Sequence, residues 1–335
     1  MAEKIAIDFD NLSTNIYKLG SGLVLSEPTV VAVSALDKMQ VKAVGFEAQK
    51  LIGKTADNTK IVFPVFEGEI VNEAVATKLL TAFLRKIGIS SKLFSVHAVM
   101  SVPCGASSEM LEKYYKVAKS SGISKVDFVE APLLSALGQR LPLTDFSPCF
   151  LIDMAGGTTN ISALTLDGII AGVSVNFGSN KVTTDIIDYV AEVYGLQIGF
   201  LTAERLKKEI ASLEENDTLS TVINGRDIKR GVPRSVSVKA MDILEPVKRY
   251  YDKVSDIAMD VIVRLPPEVL GEIRHAGIYV SGDASSVYGL EKYLAKKFDM
   301  PITIADNPEM VVALGGGIAL GNQEVLKKIK IKFKI

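Results

Sequence analysis

Cysteine is nearly missing from this chain: Cys104 and Cys149 are the only two in 335 residues. Their spacing forms neither a metal-ligand motif nor a disulfide framework, which excludes a stapled extracellular scaffold and fits a reducing compartment. An excess of charge of one sign is lacking too. Lys+Arg 38 against Asp+Glu 39 leaves a net charge of -1, so no global field draws the protein to nucleic acid or to anionic membrane, and any such attraction has to be local. No apolar stretch reaches bilayer-spanning length. Only three residues precede the first strand-like run, Lys4 to Phe9, which leaves no room for a signal peptide or an amphipathic N-terminal anchor. A cytoplasmic protein is expected, with at most a peripheral contact at the inner face of the cell membrane. With 48% apolar residues the chain can bury a large core, and its length implies two domains or one strongly divided domain.

An internal repeat is visible. The run Ile7-Asp8-Phe9-Asp10-Asn11-Leu12-Ser13-Thr14-Asn15-Ile16 aligns without gaps to Ile152-Asp153-Met154-Ala155-Gly156-Gly157-Thr158-Thr159-Asn160-Ile161. Each copy follows an apolar strand and leads into another alternating run, so each predicts a β-hairpin with a polar tip. Two such hairpins half a chain apart predict a duplicated α/β lobe.

Between them, Asn72 to Ile87 keeps a helical period through Ala76, Leu79, Leu80, Phe83, Leu84 and Ile87, with Gly88 as the stop. Ser107 to Ser121 repeats the pattern after the strand His97 to Val102, and strand followed by helix is the α/β signature. Leu219 to Ile223, Asn224-Gly225 and Ser235 to Val238 predict an inserted hairpin turning tightly at Asn-Gly. Ala240 to Leu265 is helical, with a kink or restart expected at Pro246. Gly277 to Ser281 predicts a short buried strand followed by the turn Gly282 to Ser286. Leu314-Gly315-Gly316-Gly317 lets backbones approach closely, as at a hinge or interlobe crossing.

Ala155-Gly156-Gly157-Thr158-Thr159 has the composition of an anion nest: successive backbone N–H groups, two glycines for close approach and two hydroxyls. A plain glycine turn is the competing reading. Asp8 and Asp153 hold the same place in both hairpins, so a closed cleft would bring both carboxylates toward one Mg²⁺ held through water.

These residues resemble the actin, sugar-kinase and DnaK-type ATPase superfamily, and within it the MreB-type bacterial actins. The likeness runs through Glu27-Pro28-Thr29-Val30, Ile52-Gly53-Lys54-Thr55, Pro64 with Gly68, Val102-Pro103, Ile152-Asp153, Thr202 to Lys207, Gly231-Val232-Pro233-Arg234 and Pro266-Pro267-Glu268. It implies an actin-like, duplicated two-lobed α/β fold with a central nucleotide cleft and small inserted subdomains. Lobe I would comprise 1–143 plus 312–335, with a small subdomain near 33–65; lobe II would comprise 144–311, with one near 182–245. It further implies Mg-ATP or Mg-ADP as cofactor, held by Asp8, Asn11, Ser13 and Thr14 in a first phosphate loop. Asp153, Ala155, Gly156, Gly157, Thr158 and Thr159 would form the second, Glu204 and Lys207 would touch ribose and adenine, and Gly282 would lie beneath the adenosine.

The chain also departs from that family. Asp10 and Asn11 stand where the family has Gly-Thr, and a carboxylate about 4 Å from a phosphate charge costs about 4 kcal/mol at an effective dielectric near 20. Asp283 and Ala284 replace consecutive glycines. Ala131, before Pro132, stands where the family keeps a glutamate that positions the attacking water, while Glu130 lies one residue earlier and should point elsewhere. Weakened or lost ATP hydrolysis is therefore expected.

A bilayer-entering loop of the family corresponds to Leu93-Phe94. The C-terminal run Lys328-Ile329-Lys330-Ile331-Lys332-Phe333-Lys334-Ile335 alternates charged and apolar side chains, as an extended segment does. It fits either an anionic-lipid contact or an edge strand guarded by lysines. Implied partners are further copies of the chain, other MreB-type actins, cell-wall machinery and an anionic membrane surface, but no nucleic acid. Beside a filament subunit stand two alternatives, a non-polymerising actin-fold adaptor and an active ATPase or kinase of the superfamily. No substrate-phosphorylating base is evident for the last.

Overall fold

The computed structural model describes residues 2–37, 40–55, 58–89, 95–144 and 146–333. Two five-stranded sheets carry the architecture. The first contains β1 (Glu3–Phe9), β2 (Ser13–Lys18), β3 (Gly22–Pro28), β4 (Val96–Val102) and β5 (Lys125–Glu130), in the spatial order β3-β2-β1-β4-β5. The second contains β6 (Cys149–Met154), β7 (Thr159–Thr165), β8 (Gly168–Val175), β9 (Ile278–Ser281) and β10 (Ile302–Ile304), in the order β8-β7-β6-β9-β10. In both, an antiparallel three-stranded meander continues into two parallel strands. The predicted repeat is a structural one down to its register: Ile7 faces Ile16 and Asp8 faces Asn15 in the first hairpin, while Ile152 faces Ile161 and Asp153 faces Asn160 in the second.

Crossover helices reach the parallel strands. They include α1 (Glu73–Lys86), α2 (Ser108–Ser120) and α3 (Ala131–Gly138) on the first half, and α4 (Ser179–Tyr194), α5 (Phe200–Ile210) and α6 (Ala240–Val263) on the second. Asn72 and Ser107 cap α1 and α2 through their side chains, accepting the N–H groups of Val75 and Met110. Helix α7 (Val311–Gly321) follows the second sheet yet lies on α3, β1 and β2 of the first half, and α8 (Gln323–Ile329) continues it. Each sheet has its own apolar core. A third cluster joins Ala6 and Val99 of one sheet to Leu151 and Leu164 of the other through Leu133, Leu134, Val311 and Leu320, so α3 and α7 form the joint between halves.

Three expectations need correction. The inserted hairpin does not turn at Asn224-Gly225. Its first strand, Ser220–Asp227, runs through both residues and pairs with Pro233–Lys239. A Cβ on Gly225 would lie 2.5 Å from the Gln197 carbonyl oxygen, so this glycine admits the neighbouring strand rather than a turn. The turn comes at 228–232, where the Asp227 carboxylate accepts the N–H groups of Lys229 and Arg230. Second, Pro246 neither breaks nor restarts α6, which is continuous because Ile243, Val247, Tyr250, Tyr251 and Val254 bury one face on both sides of it.

Third, the C-terminal segment is not extended from Lys328, which lies in α8 with its ammonium 3.7 Å from Asp167. The chain then straps over β5. Lys330 bridges to Val129, the Ile331 N–H donates to the Phe128 carbonyl at 2.8 Å, and Lys330 reaches Asp127 at 3.0 Å. The Phe333 ring packs against Tyr115 and Phe128, which withdraws it from an anchoring role in this arrangement; Lys332 is exposed. Burial opposes ionisation of Asp127, but hydrogen bonds from His97 and Lys330, with Lys125 nearby, hold its carboxyl below the usual range. Leu93, Phe94 and Lys334 lie outside the described residues.

Candidate functional site

In open parallel sheets ligands gather at the carboxyl ends of the strands, and here the ends of β1, β4, β6 and β9 converge on one cleft. Each half sets an aspartate at its floor in the same manner. Asp8 accepts a hydrogen bond from Ser101 Oγ of β4 at 2.7 Å, and Asp153 accepts one from Ser281 Oγ of β9 at 2.8 Å. The facing asparagines differ in detail: Asn160 Nδ2 lies 3.4 Å from Asp153, while Asn15, opposite Asp8, donates to the Glu309 carbonyl at 3.1 Å.

No Lys or Arg among the described residues lines this part of the cleft, where Asp10, Asp283 and Glu309 join the two aspartates. Burial, then the nearby Asp10 and Asp153 carboxylates, pushes Asp8 up to about 7 against the Ser101 hydrogen bond. Burial raises Asp153 to about 6 despite Ser281 and Asn160, with Asp10 adding repulsion. Asp283 is driven well upward, first by burial and then by Asp10 and Glu309.

The loops at the hairpin tips meet directly. A Cβ on Gly156 would lie 2.6 Å from Leu12 Cγ, and one on Gly157 2.8 Å from Asn11 Cβ, so only glycines admit this approach. Asp10 Oδ2 accepts the Gly156 N–H at 3.0 Å, and the nearby backbone of Asn11, Leu12 and Gly157 also favours its ionised form. Burial nevertheless raises Asp10 above its ordinary range. The space left among Asp8, Asp10, Ser13, Asp153, Ala155 and Thr158 is about 40 Å³.

The other end of the cleft is wider. A cavity of about 230 Å³ is walled by Leu12, Val182, Ala211, Ala284 and Val287, and its polar lining includes Glu204, Lys207, Lys208, Asp283, Ser286 and Glu309. Glu204 and Lys207 form a 2.5 Å ion pair one helical turn apart, only 8% and 14% of the lysine and glutamate side chains being exposed. Lys207 also donates to the Ser179 carbonyl and to Thr183 Oγ1, and Thr183 in turn bonds Glu204. The pair is therefore neither solvated nor loose.

The expected nucleotide-site residues thus divide. Asp8, Ser13, Asp153, Ala155, Thr158 and Gly282 line the narrow part, while Glu204 and Lys207 line the wide part. Thr14 and Thr159 do not face the cleft. Thr14 Oγ1 bonds Thr29 Oγ1 at 2.8 Å, and Thr159 Oγ1 bonds the Phe177 carbonyl and Tyr250 OH, because the strand alternates and its neighbours Ser13 and Thr158 take the cleft side. Asn11 turns outward, its Oδ1 accepting the Glu67 N–H at 3.3 Å. Ala131 opens α3 at the cleft wall, and Glu130 points elsewhere, accepting the Gly105 N–H at 2.6 Å. Sequence reasoning missed Ser101 and Ser281, although each is the one serine in its strand.

Two matched halves about a cleft, joined through α3 and α7, define an actin-like protein. Residues 2–328 match the family described as MreB/Mbl protein, and the chain belongs to that family of bacterial actin-like proteins. The cell shape-determining protein MreB of Escherichia coli K12 is 31% identical over 321 residues, 94% of this chain and 92% of its own. The cell shape-determining protein Mbl of Bacillus subtilis 168 is 30% identical over 333 residues, 98% of this chain and 99% of its own. The crystal structure of MreB5 of Spiroplasma citri bound to ADP superposes with a TM-score of 0.91 at 27% identity, covering 98% of each chain. A MamK double helical filament shares the fold, with a TM-score of 0.83 at 19% identity over 96% of this chain and 99% of its own.

Adenosine fits what the cleft offers: apolar walls for a base, and the Glu204–Lys207 pair and Asp283 for its polar groups. The phosphates do not fit the narrow end as arranged, where Asp10 accepts the Gly156 N–H and no Lys or Arg among the described residues lines the space.

Proposed function

We propose that this chain is a cytoskeletal filament subunit that organises cell shape or the cell wall, with ATP hydrolysis weakened or lost. The observation that carries this reading is the match across residues 2–328, with both halves and the inserted hairpin retained. Curated relatives at this level of identity are named cell shape-determining proteins. MreB5 of Spiroplasma citri is described with ADP and with AMPPNP, which supports adenine nucleotide as the ligand class here. Loss of hydrolysis is inferred from Ala131, which has no group to orient or deprotonate water. Membrane attachment at the cytoplasmic face would rest on Leu93-Phe94 and the lysine-rich tail. Among the described residues no helix is long and apolar enough to cross a membrane.

Filaments assembled head to tail through an open heterologous interface should appear by electron microscopy and sediment at micromolar protein concentration. Monomers alone across salt, Mg²⁺ and nucleotide conditions would leave the adaptor reading. That second reading is favoured by one observation, the Asp10 carboxylate on the Gly156 N–H.

A further inference from the structure

We propose that the Asp10 carboxylate is a tethered occupant of the phosphate nest, so that the cleft closes without nucleotide and the phosphates lose their share of nucleotide affinity. The inference rests on reading the cleft as a nucleotide site.

Backbone N–H groups converging from a glycine loop form a concavity that selects an anion. In this chain an anion is already supplied. Asp10 reaches from the first hairpin tip to accept the Gly156 N–H of the second at 3.0 Å. That hydrogen bond crosses from one half of the molecule to the other, so the carboxylate ties the halves together as a bound phosphate would. The surrounding contacts agree. Leu12 and Asn11 sit against Gly156 and Gly157 with no room for even a methyl group between them, and Asn11 is itself fixed by the Glu67 N–H. The space beside the carboxylate is about 40 Å³, whereas the cavity between Val182, Ala211 and Val287 remains about 230 Å³. The space beside the tether is thus the narrower of the two.

Charge reinforces the geometry. The carboxyls of Asp8, Asp153, Asp283 and Glu309 surround the narrow end, the three aspartates raised by burial, and no Lys or Arg among the described residues lines it to favour an entering anion. A phosphate entering the nest has to displace Asp10 and then remain near it. Two like charges about 4 Å apart at an effective dielectric near 20 disfavour binding by roughly a thousand-fold. An uncharged nucleoside in the wide cavity meets no such opposition. Asp10 thus acts as a specificity-determining residue, setting how far the phosphates contribute to binding.

The test is calorimetric titration of the full chain with adenosine, and with ADP and ATP in Mg²⁺, for wild type, Asp10→Gly and Asp10→Asn. Wild type is expected to bind adenosine and ATP within about tenfold of each other, while Asp10→Gly raises ATP affinity by about a hundred-fold or more and leaves adenosine almost unchanged. Asp10→Asn, which keeps an acceptor of the same shape without the charge, should fall between them. A strong preference of wild type for ATP, or a ratio unmoved in Asp10→Gly, overturns the proposal. Hydrogen exchange supplies a readout that needs no ligand. The Gly156 and Gly157 amides should be protected in ligand-free wild type and exchange faster in ligand-free Asp10→Gly. If no nucleoside or nucleotide binds either protein, this comparison decides the matter, and equal protection in the two overturns the proposal. Filament formation by electron microscopy is scored separately, so failure of the cytoskeletal reading is distinguishable from failure of the tether.

Discussion

Adding one methyl group at Gly315 should destabilise the whole molecule, although alanine is the better helix former. Helices α3 and α7 cross through a reciprocal glycine contact. A Cβ on Gly315 would lie 1.8 Å from the Leu134 carbonyl oxygen and 2.9 Å from the Gly138 nitrogen, and a Cβ on Gly138 would lie 1.9 Å from the Val311 carbonyl oxygen and 3.1 Å from the Gly315 nitrogen. The obstructing atoms are backbone, so no rotamer change relieves the overlap, and the helices have to part by about 1.5 Å to restore ordinary contact. Replacing an interior helical glycine by alanine favours folding by about 1 kcal/mol through propensity. Overpacking costs about 1–3 kcal/mol, and separating the helices also loosens Leu133, Leu134, Val311 and Leu320, the side chains that join the halves. The steric effect should win, giving a net loss of up to about 2 kcal/mol for Gly315→Ala and a lower thermal midpoint. Gly321→Ala serves as the control on the same helix, because its added Cβ meets only Leu19 Cδ1 at 3.8 Å. Thermal and urea denaturation of both variants decides between the effects. A Gly315→Ala protein as stable as wild type, or as Gly321→Ala, would refute the argument that this crossing is sterically closed.

Two further outcomes follow from the site and the tail. Ala131→Glu, introduced in an Asp10→Gly background to free the nest, should raise phosphate release by about a hundred-fold, the lower end of what a positioned acid–base group contributes; wild-type turnover matching that of an ordinary MreB would show the catalytic position to be misassigned. Removing residues 330–335 deletes the Lys330–Asp127 ion pair and the Phe333 packing. It should lower stability by about 1–3 kcal/mol in denaturant titration and reduce flotation with anionic liposomes; unchanged flotation would remove the tail from the membrane reading.

How much of this was legible in sequence varies from place to place. The duplicated hairpins were, because a gapless repeat with matching apolar positions leaves one register for each pair of strands. Helix α1 was legible from its apolar period and its glycine stop. The fate of adjacent hydroxyls was partly legible: strand alternation allows only one of Thr158 and Thr159 to face the cleft, and the composition of the loop obscured this. Asn224-Gly225 misled, since the same dipeptide that favours a tight turn also serves a strand whose neighbour needs a bare backbone. The partner of Asp10 was not legible. Its contact with Gly156 depends on how far two distant halves close, and no local pattern encodes that distance.

The repeated register makes Asp10, Asn11 and Leu12 the structural counterparts of Ala155, Gly156 and Gly157. Two copies of one loop have therefore taken complementary parts, one presenting the anion and the other the donors, so their contact is heterologous within a single chain. Added bulk at Gly156 or Gly157 would disturb the facing loop at Leu12 or Asn11. Exchanging Asp10 for glycine leaves the Leu12 side chain against Gly156, and restoring a bulkier residue at Gly156 would collide with Leu12 before it met any ligand. Substitutions at 10–12 and 155–157 should therefore be epistatic, with a double replacement that swaps the two sequences tolerated better than either single exchange.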